Sequence, residues 1–178
     1  GIDDNATSTA ITIDASENVG IGVVPEAWSS SATALQLGDL GALWIYDDNS
    51  NPEQLVLSEN VYNNGEERYI QTDYASAHTQ RSGVHTFKVA PSGTADAAIS
   101  WTTAMEIDNS GNVLVGKTVN DNTTQGIAID GGSGFMSVSR DAGIALLLDR
   151  SNDGEIQRFT KDGTTVGSIG TASGEYYH

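Results

Sequence analysis

The sequence predicts an all-β protein that assembles as an elongated homotrimer. Apolar and polar residues alternate with a period of two in many short segments, which is the pattern of a strand with one buried face. Dipeptides that favour tight turns separate these segments. A unit of strand, turn and strand occurs twice, at residues 11–22 and 105–116. A repeated unit of this kind is typical of modular, elongated proteins, and two copies are too few to close a core, so we expect neighbouring chains to complete it.

The two copies of the repeat share half of their aligned positions. They align without a gap, and in each copy a polar segment rich in Asp, Ser and Asn separates two short apolar segments. This arrangement predicts a tight turn between two strands. The identical pairs are Ile13/Ile107, Asp14/Asp108, Ser16/Ser110, Asn18/Asn112, Val19/Val113 and Gly22/Gly116.

Other strands and turns follow from the same patterns. Hairpin turns are predicted at Asn64–Gly65, Asp153–Gly154 and Asp162–Gly163, since these residue types tolerate a positive φ. The one helical candidate is a single turn from Pro25 to Trp28. Alternating segments lie at residues 11–14, 19–23, 35–37, 84–89 and 105–108, weaker turns at 110–112, 130–132 and 133–134, and apolar runs suited to burial on both faces at 43–46, 55–57 and 113–115.

Three segments are predicted along the chain. Residues 1–30 form a lead-in of strand, turn and strand. Residues 31–104 are rich in aromatic residues and predict a β-sandwich-like module. Residues 105–178 contain the second repeat and short strands separated by glycine, with a polar linker from Lys117 to Gln125. The aromatic residues of the middle segment include Trp44, Tyr46, Tyr62, Tyr69, Tyr74 and Trp101.

The prediction of a trimer rests on the last segment. Its predicted strands, at residues 105–108, 113–115, 127–129, 144–148 and 156–159, are too short and too few to close a core alone. Three parallel chains around an axis would bury their apolar faces as a β-prism or triple β-helix and would cover the open strand edges.

Composition excludes several classes of function. The net charge is −16, and residues 1–67 contain twelve of the 24 acidic residues and no Lys or Arg. Such a chain repels phosphate backbones and anionic membrane surfaces, so we expect no nucleic-acid partner and no membrane insertion. The chain has no Cys, which removes disulfides and thiolate metal sites. No phosphate-binding or cofactor motif is present, and no cofactor is expected.

Several segments resemble proteins of tailed bacteriophages. The two repeats are similar to repeats of tail fibres and tailspikes, although the first copy has Glu17 where that family usually has glycine. Residues 147–169, which end in Asp162-Gly-Thr-Thr-Val-Gly-Ser-Ile169, resemble the shaft that precedes the intramolecular chaperone of endosialidase-type tailspikes. The resemblance implies a trimeric virion protein of the phage tail that recognises a host. It also implies that the chain ends about where such a chaperone is removed by self-cleavage.

Ligand-binding candidates lie in the aromatic-rich segment. Aromatic rings stack on sugar faces while carboxylate, amide and guanidinium groups bind the hydroxyls. Two short segments, residues 44–49 and 62–69, combine these groups. We therefore predict a receptor site, for a glycan in the first instance, whose residues are Tyr46, Asp47, Tyr62, Asn63, Arg68 and Tyr69.

Two alternatives to an attachment module stay open. A polysaccharide depolymerase would use two carboxylates, drawn from Asp47, Asp48, Glu66, Glu67 or Asp73. A structural spacer would bind nothing. An acidic turn at residues 47–51 is favoured over a calcium loop, which would need a glycine and a distal glutamate. His78 and His85 are favoured as part of a polar face or core edge over a metal site shared by three chains.

Overall fold

A computed structural model describes residues 10–46, 53–172 and 175–177. These residues form strands, turns and loops without a helix, which confirms the all-β class, and so none of them forms a helix that could span a membrane. The strands are β1 (Ile11–Ile13), β2 (Val19–Ile21), β3 (Ala32–Leu37), β4 (Gly41–Tyr46), β5 (Gln54–Glu59), β6 (Val61–Asn63), β7 (Glu67–Tyr69), β8 (Asp73–Arg81), β9 (Val84–Gly93), β10 (Thr102–Ile107), β11 (Val113–Val115), β12 (Gly126–Ile129), β13 (Met136–Ser139), β14 (Gly154–Lys161), β15 (Thr164–Ala172) and β16 (Glu175–Tyr177).

One sheet of eleven strands dominates the fold. Its order is β1-β2-β3-β4-β5-β8-β9-β10-β11-β12-β13. All neighbours are antiparallel except β2 and β3, which are parallel. The hairpin of β6 and β7 leaves the sheet between β5 and β8 and forms a separate pair.

The two sequence repeats fold into the same hairpin. In the β1–β2 turn, Asp14 accepts hydrogen bonds from the backbone N–H groups of Ser16 and Asn18, at 2.8 and 2.9 Å, and from the Asn18 amide at 2.9 Å. Asp108 makes the equivalent three bonds in the β10–β11 turn. In both turns the bond from the asparagine amide is the main cause that holds the pKa of the aspartate below its usual value.

The turn has the same backbone form in both copies despite the change at Glu17. Glu17 has a φ of 66° and the aligned Gly111 a φ of 82°. A side chain in this left-handed region costs about 1 kcal/mol, which glycine avoids. The repeat therefore imposes the turn, and the first copy tolerates the strain.

The two hairpins continue differently. Asn18 accepts the N–H of Ala34 on β3 at 3.0 Å, whereas Asn112 accepts the N–H of Gly131 at 3.1 Å. After β2 the chain crosses back to a parallel strand and passes directly over Gly20, where a Cβ would lie 2.3 Å from the Val23 oxygen. The second repeat instead continues into an antiparallel strand.

The predicted helical turn from Pro25 to Trp28 is wrong. These residues are an extended loop within the crossover from β2 to β3. Gln36 fixes this loop, because its side-chain oxygen accepts the Glu26 N–H at 2.9 Å. The loop delivers the Trp28 ring to the core, where it is only 6% exposed, and this packing outweighs the weak preference for one helical turn.

The predicted turns are confirmed at two of the three strongest positions. Asn64 and Gly65 join β6 to β7, and Asp162 and Gly163 join β14 to β15. The turn at Asp153–Gly154 is wrong, because Gly154 begins β14 and no strand lies within residues 140–153. The strand predicted at 144–148 is wrong for the same reason: those residues have no strand partner, and Leu147 is 74% exposed.

One face of the large sheet is packed within the chain. This covered face bears small side chains and two larger ones: Ala32, Ala34, Ala42, Trp44, Val56, Ala75, Ala77 and Ala90. Trp28 from the crossover and Val61, Tyr62 and Tyr69 from the β6–β7 hairpin pack onto it. The Trp28 and Trp44 rings lie 5.6 Å apart. Alanines thus leave room for the aromatic rings of the covering layer.

The compact units of the chain differ from the predicted segments. One unit comprises residues 1–139 and contains the large sheet, and the other comprises residues 140–178 with the sheet β14-β15-β16. The predicted boundary at 30/31 is bridged by the pairing of β2 with β3, and the boundary at 104/105 falls inside β10.

Candidate functional site

The β6–β7 hairpin, the segment 94–101 and Glu26 of the crossover form the first candidate site. The turn at Asn64–Gly65 is closed by the Asn63 side chain, which accepts the Gly65 N–H at 2.9 Å. The hairpin is tied to the crossover by the Ser29 N–H, which donates to the Asn63 carbonyl at 2.6 Å. This tie fixes the position of the hairpin over the covered face.

Arg68 joins the hairpin to segment 94–101. Its guanidinium donates to the Asn64 side chain at 3.0 Å, to the Asp96 carbonyl at 2.6 Å and to the Glu66 carboxylate at 2.7 Å. A guanidinium has five N–H groups, so these bonds leave donors for a ligand. The side chain is 31% exposed, which makes Arg68 a positioned, accessible cation.

Tyr62, Asp96 and Glu26 form an acidic cluster near Arg68. The Tyr62 hydroxyl donates to Asp96 at 2.9 Å. Burial, and then the bond to Asp96, raise the pKa of Tyr62. Burial and the nearby charge of Asp96 also raise the pKa of Glu26. Glu26 is therefore a carboxyl group that holds its proton to a higher pH than usual.

Trp101 is a partly exposed aromatic residue at the same site. Its indole N–H donates to the Glu67 carboxylate. The Lys88 ammonium lies 5.9 Å from the centre of its ring, which is a cation–π distance. Sequence reasoning missed Trp101, Asp96 and Glu26 as site residues, because they are distant in sequence from the hairpin and belong to no motif.

The structure gives most of the predicted ligand-binding residues a packing role. Tyr62, Asn63 and Tyr69 are 5%, 6% and 3% exposed, and Tyr46 packs against the core. Asp47 lies outside the described residues. Arg68 is therefore the predicted residue whose side chain is both fixed and open to a ligand.

Tyr69 illustrates how tightly the hairpin packs. Its hydroxyl donates to the Pro91 carbonyl at 2.6 Å. Its ring lies against Gly93, where an added Cβ would be 2.2 Å from a ring carbon. Little ring surface is left for a sugar to stack on.

The predicted catalytic carboxylates are engaged elsewhere or not described. Glu66 pairs with Arg68 and Glu67 with Trp101, and Asp73 accepts the Tyr74 N–H at 2.8 Å. Asp47 and Asp48 lie outside the described residues. The two carboxyl groups that the fold brings into mutual electrostatic range at this site are instead Glu26 and Asp96.

The second candidate is the opposite side of the large sheet, here called the bare face. Its central row takes one residue from each of the eleven strands and is apolar except at His78. Among these residues Leu43 is 40% and Leu57 57% exposed. The row is Ile13, Val19, Leu35, Leu43, Leu57, His78, Phe87, Met105, Val115, Ile127 and Val138.

A parallel row widens the bare face. It begins on β4 and ends on β13, and its polar members are Gln80 and His85. Its apolar members are also exposed, with Ile129 at 46% and Met136 at 57%. The row is Ile45, Leu55, Gln80, His85, Ile107, Val113, Ile129 and Met136.

The bare face explains the apolar runs of the sequence. The runs at 43–46, 55–57 and 113–115 predict strands buried on both faces. The structure buries Trp44, Val56 and Leu114 in this chain and leaves Leu43, Leu57 and Val115 exposed. A contiguous exposed apolar surface of this kind is typical of an interaction site.

The described residues contain no group of three or more His, Asp or Glu side chains that could hold a metal ion. Comparisons with protein-family models, with curated proteins and with solved structures find no match to this chain.

Proposed function

We propose that this chain is a host-attachment module of a phage tail fibre or tailspike, and that three copies assemble through the bare faces of their large sheets. The proposal rests mainly on the bare face, because an exposed apolar surface of this size is stabilised when a partner covers it. The resemblance of the two repeats and of residues 147–169 supplies the setting, an extracellular virion protein that binds without catalysis and without a cofactor.

The distribution of side-chain size supports assembly through this face. Alanines line the covered face, whereas Leu, Ile, Val, Phe and Met line the bare face. Strands lie about 4.8 Å apart and residues on one face about 6.8 Å apart along a strand, so the positions of the two rows together cover roughly 600 Å². A standard interface buries about 800 Å² per partner.

Further copies of the chain are the occupant that fits best. The surface spans all eleven strands, so a short peptide would leave most of it uncovered. Three copies facing a common axis would form a β-prism from the large sheets. The covered side would then point outward, so the hairpin, Arg68 and Trp101 would be available to a host receptor, for which a surface glycan is our first candidate.

Sedimentation and light scattering test the assembly. In moderate salt we expect about 56 kDa, three times the 18.7 kDa of one chain. Leu57→Asp, on the bare face, should give a folded monomer, because three carboxylates would be buried without partners. Val24→Asp is the matched control, since Val24 is 72% exposed but lies in the crossover, and it should stay trimeric. A wild-type monomer would refute the assembly.

Binding to host cells or a glycan array tests the attachment function. Arg68→Ala should weaken binding by about ten-fold or more, as expected for the loss of a charged hydrogen bond of about 1.5–3 kcal/mol. Arg81→Ala, an exposed cation at the end of β8, is the control and should bind normally. Equal binding by both variants would exclude the Arg68 surface, and absence of binding across many hosts would favour a structural spacer.

Glu26 and Asp96 support a second candidate, a polysaccharide depolymerase. Burial, and then the neighbouring Asp96, raise the pKa of Glu26, and a carboxyl with a raised pKa beside a second carboxyl is the pairing that glycoside hydrolysis uses. Release of reducing sugar from host capsule by the wild type, lost in Glu26→Gln and in Asp96→Asn, would replace the binding-only proposal. Release that persists in both variants would exclude this pair.

A further inference from the structure

A histidine pair occupies the middle of the bare face. His78 on β8 is the one polar member of the central apolar row, between Leu57 and Phe87. His85 lies on the neighbouring strand β9, because the turn at Ser82–Gly83 folds the two strands together. Both histidines are half-buried in the single chain.

The two rings are arranged to share a hydrogen. Nε2 of His78 and Nδ1 of His85 are 3.2 Å apart. The ring centres are 5.4 Å apart and the ring planes differ by 20°. The separation of these two nitrogens is within hydrogen-bonding range, so one ring can donate to the other. The hydrogen bond requires a proton on one of the two facing nitrogens and a free lone pair on the other, so it is lost when both nitrogens are protonated.

The surroundings of the pair are mostly apolar on this face. Phe87 stacks on His78 with ring centres 4.5 Å apart and planes 2° apart. Leu57 is opposite His78 on β5, and Ile107 is opposite His85 on β10. A depression of about 430 Å³ beside His78 is lined by Leu57, Phe87 and Val89 among others.

One acidic side chain shares the bare face near the pair. Glu59 lies at the end of β5 and accepts a hydrogen bond from Ser76 at 3.3 Å. The other charged residues close to the pair on these strands, Arg81, Lys88 and Glu106, alternate onto the opposite face. Among the described residues of these strands, therefore, little on the bare face would neutralise a charged histidine pair.

We propose that the His78–His85 pair makes the contact between copies sensitive to acid. This inference rests on the assembly proposed above, which would bury the pair. Neutral, the pair keeps its hydrogen bond and tolerates burial next to Leu57 and Phe87. Histidine gains charge between pH 8 and 5, and a charge buried among apolar side chains is costly. Falling pH therefore favours the separated chains, in which water can solvate the pair.

The expected size follows from proton linkage. If each of three chains takes up one proton on separation, the dissociation constant of the trimer rises by up to about 10³-fold for each unit by which the pH falls. The general charge of the protein acts in the opposite direction. Each chain has a net charge of −16, so added protons reduce the repulsion between copies. As the pH falls, the histidine pair should therefore weaken the trimer, whereas the reduced net charge should strengthen it.

Analytical ultracentrifugation at pH 8.0 and pH 5.5 in 0.15 M salt tests the inference, with circular dichroism to check the fold. The wild type should dissociate more readily at pH 5.5. The double variant His78→Gln/His85→Gln, which keeps polar side chains but cannot titrate, should lose this weakening, and so should His78→Gln alone. His178 remains in all variants and cancels from the comparison.

The outcomes separate this inference from the assembly itself. A wild-type oligomer that is unchanged or strengthened at pH 5.5 overturns the histidine inference and leaves the assembly standing. So does an acid weakening that is equally large in both variants. A wild-type monomer at pH 8.0 overturns the assembly and this inference together.

Discussion

The two faces of the eleven-stranded sheet are built from different side chains. The covered face carries alanines around Trp44 and Val56, and aromatic rings from outside the sheet fill the space above them. The bare face carries a row of large aliphatic side chains with no covering layer from the described residues of the same compact unit. A face lined by small residues needs a bulky cover, and this chain supplies one. On a face lined by large residues the side chains themselves extend far from the sheet, so the same face of a second copy can pack directly against them.

The two faces therefore separate the contacts that stabilise a single chain from the contacts that require a second copy. The covered face should determine whether the chain folds, since its residues are buried without help. The bare face should determine whether copies associate. Substitutions at neighbouring positions on one strand can separate these two roles, because successive side chains of a strand point to opposite faces.

The largest expected effect is at Trp44 on the covered face. Trp44 is 1% exposed, and its indole N–H donates to Ser58 at 3.0 Å. Trp44→Ala should lower the free energy of unfolding by about 3–5 kcal/mol, since it leaves a large cavity. Denaturant unfolding at low protein concentration measures the loss.

Leu43→Ala is the control for Trp44→Ala, one position away on the bare face. In dilute protein it should cost less than half as much, and its effect should grow with protein concentration as assembly contributes. Equal losses that do not depend on concentration would mean that the two faces do not differ in role.

The next largest effect concerns how closely the β6–β7 hairpin packs against the covered face. Gly93→Ala would place a methyl group 2.2 Å from the Tyr69 ring, so the hairpin must shift. We expect a loss of about 1–3 kcal/mol, as for other overpacked positions. Gly132→Ala is the control, because its Cβ would meet only the Asp130 side chain at 3.6 Å. If both variants unfold at the wild-type denaturant concentration, the hairpin is not held against the sheet as described.

A smaller effect is expected at the hydrogen bond that joins the β6–β7 hairpin to segment 94–101. Tyr62→Phe removes the hydroxyl that donates to Asp96 and should cost about 0.5–1.5 kcal/mol, the net range for a typical hydrogen bond. Tyr74→Phe serves as the control, since Tyr74 is 69% exposed. Thermal unfolding of the two variants makes the comparison, and an unchanged Tyr62→Phe protein would show that this tie does not stabilise the cover.

The smallest expected change in stability is in the turns of the two repeats, which lie outside both faces of the sheet. Glu17 has a φ of 66°, so Glu17→Gly should stabilise the chain by roughly 0.5–1 kcal/mol through relief of strain. The aligned Gly111→Ala should destabilise it by a similar amount, because its φ is 82°. Denaturant midpoints that move in the same direction for both variants would contradict a shared turn geometry.

Sequence patterns predicted local structure well where the signal was local. The repeat, its polar turn and the turns at Asn64–Gly65 and Asp162–Gly163 are set by residues within a few positions of one another. The strand predicted at 144–148 from its apolar run is wrong, because a strand needs a partner and no strand lies within residues 140–153. The contact between His78 and His85 depends on the turn at Ser82–Gly83, which pairs β8 with β9.

The candidate site was less predictable than the strands. The sequence indicated the hairpin and Arg68 but assigned Tyr62 and Tyr69 to a ligand, whereas the fold uses their rings to cover the sheet. Composition alone does not distinguish an aromatic residue that binds from one that packs. Glu26, Asp96 and Trp101 reach the site from three separate segments, and no spacing in the sequence links them.

Residues that are close together in the chain are enough to predict that it forms strands, where most of the strands turn, and that many of them have an apolar side. Period-two alternation and the tolerance of Gly, Asn and Asp for a positive φ are properties of a few adjacent residues, so they can be recognised before the fold is known. Which side of each strand is covered, in contrast, follows from the tertiary structure. That outcome depends on a crossover that brings Trp28 back over the sheet and on a hairpin that leaves it. These are contacts between residues far apart in the chain, and they are what separates the covered face from the bare one.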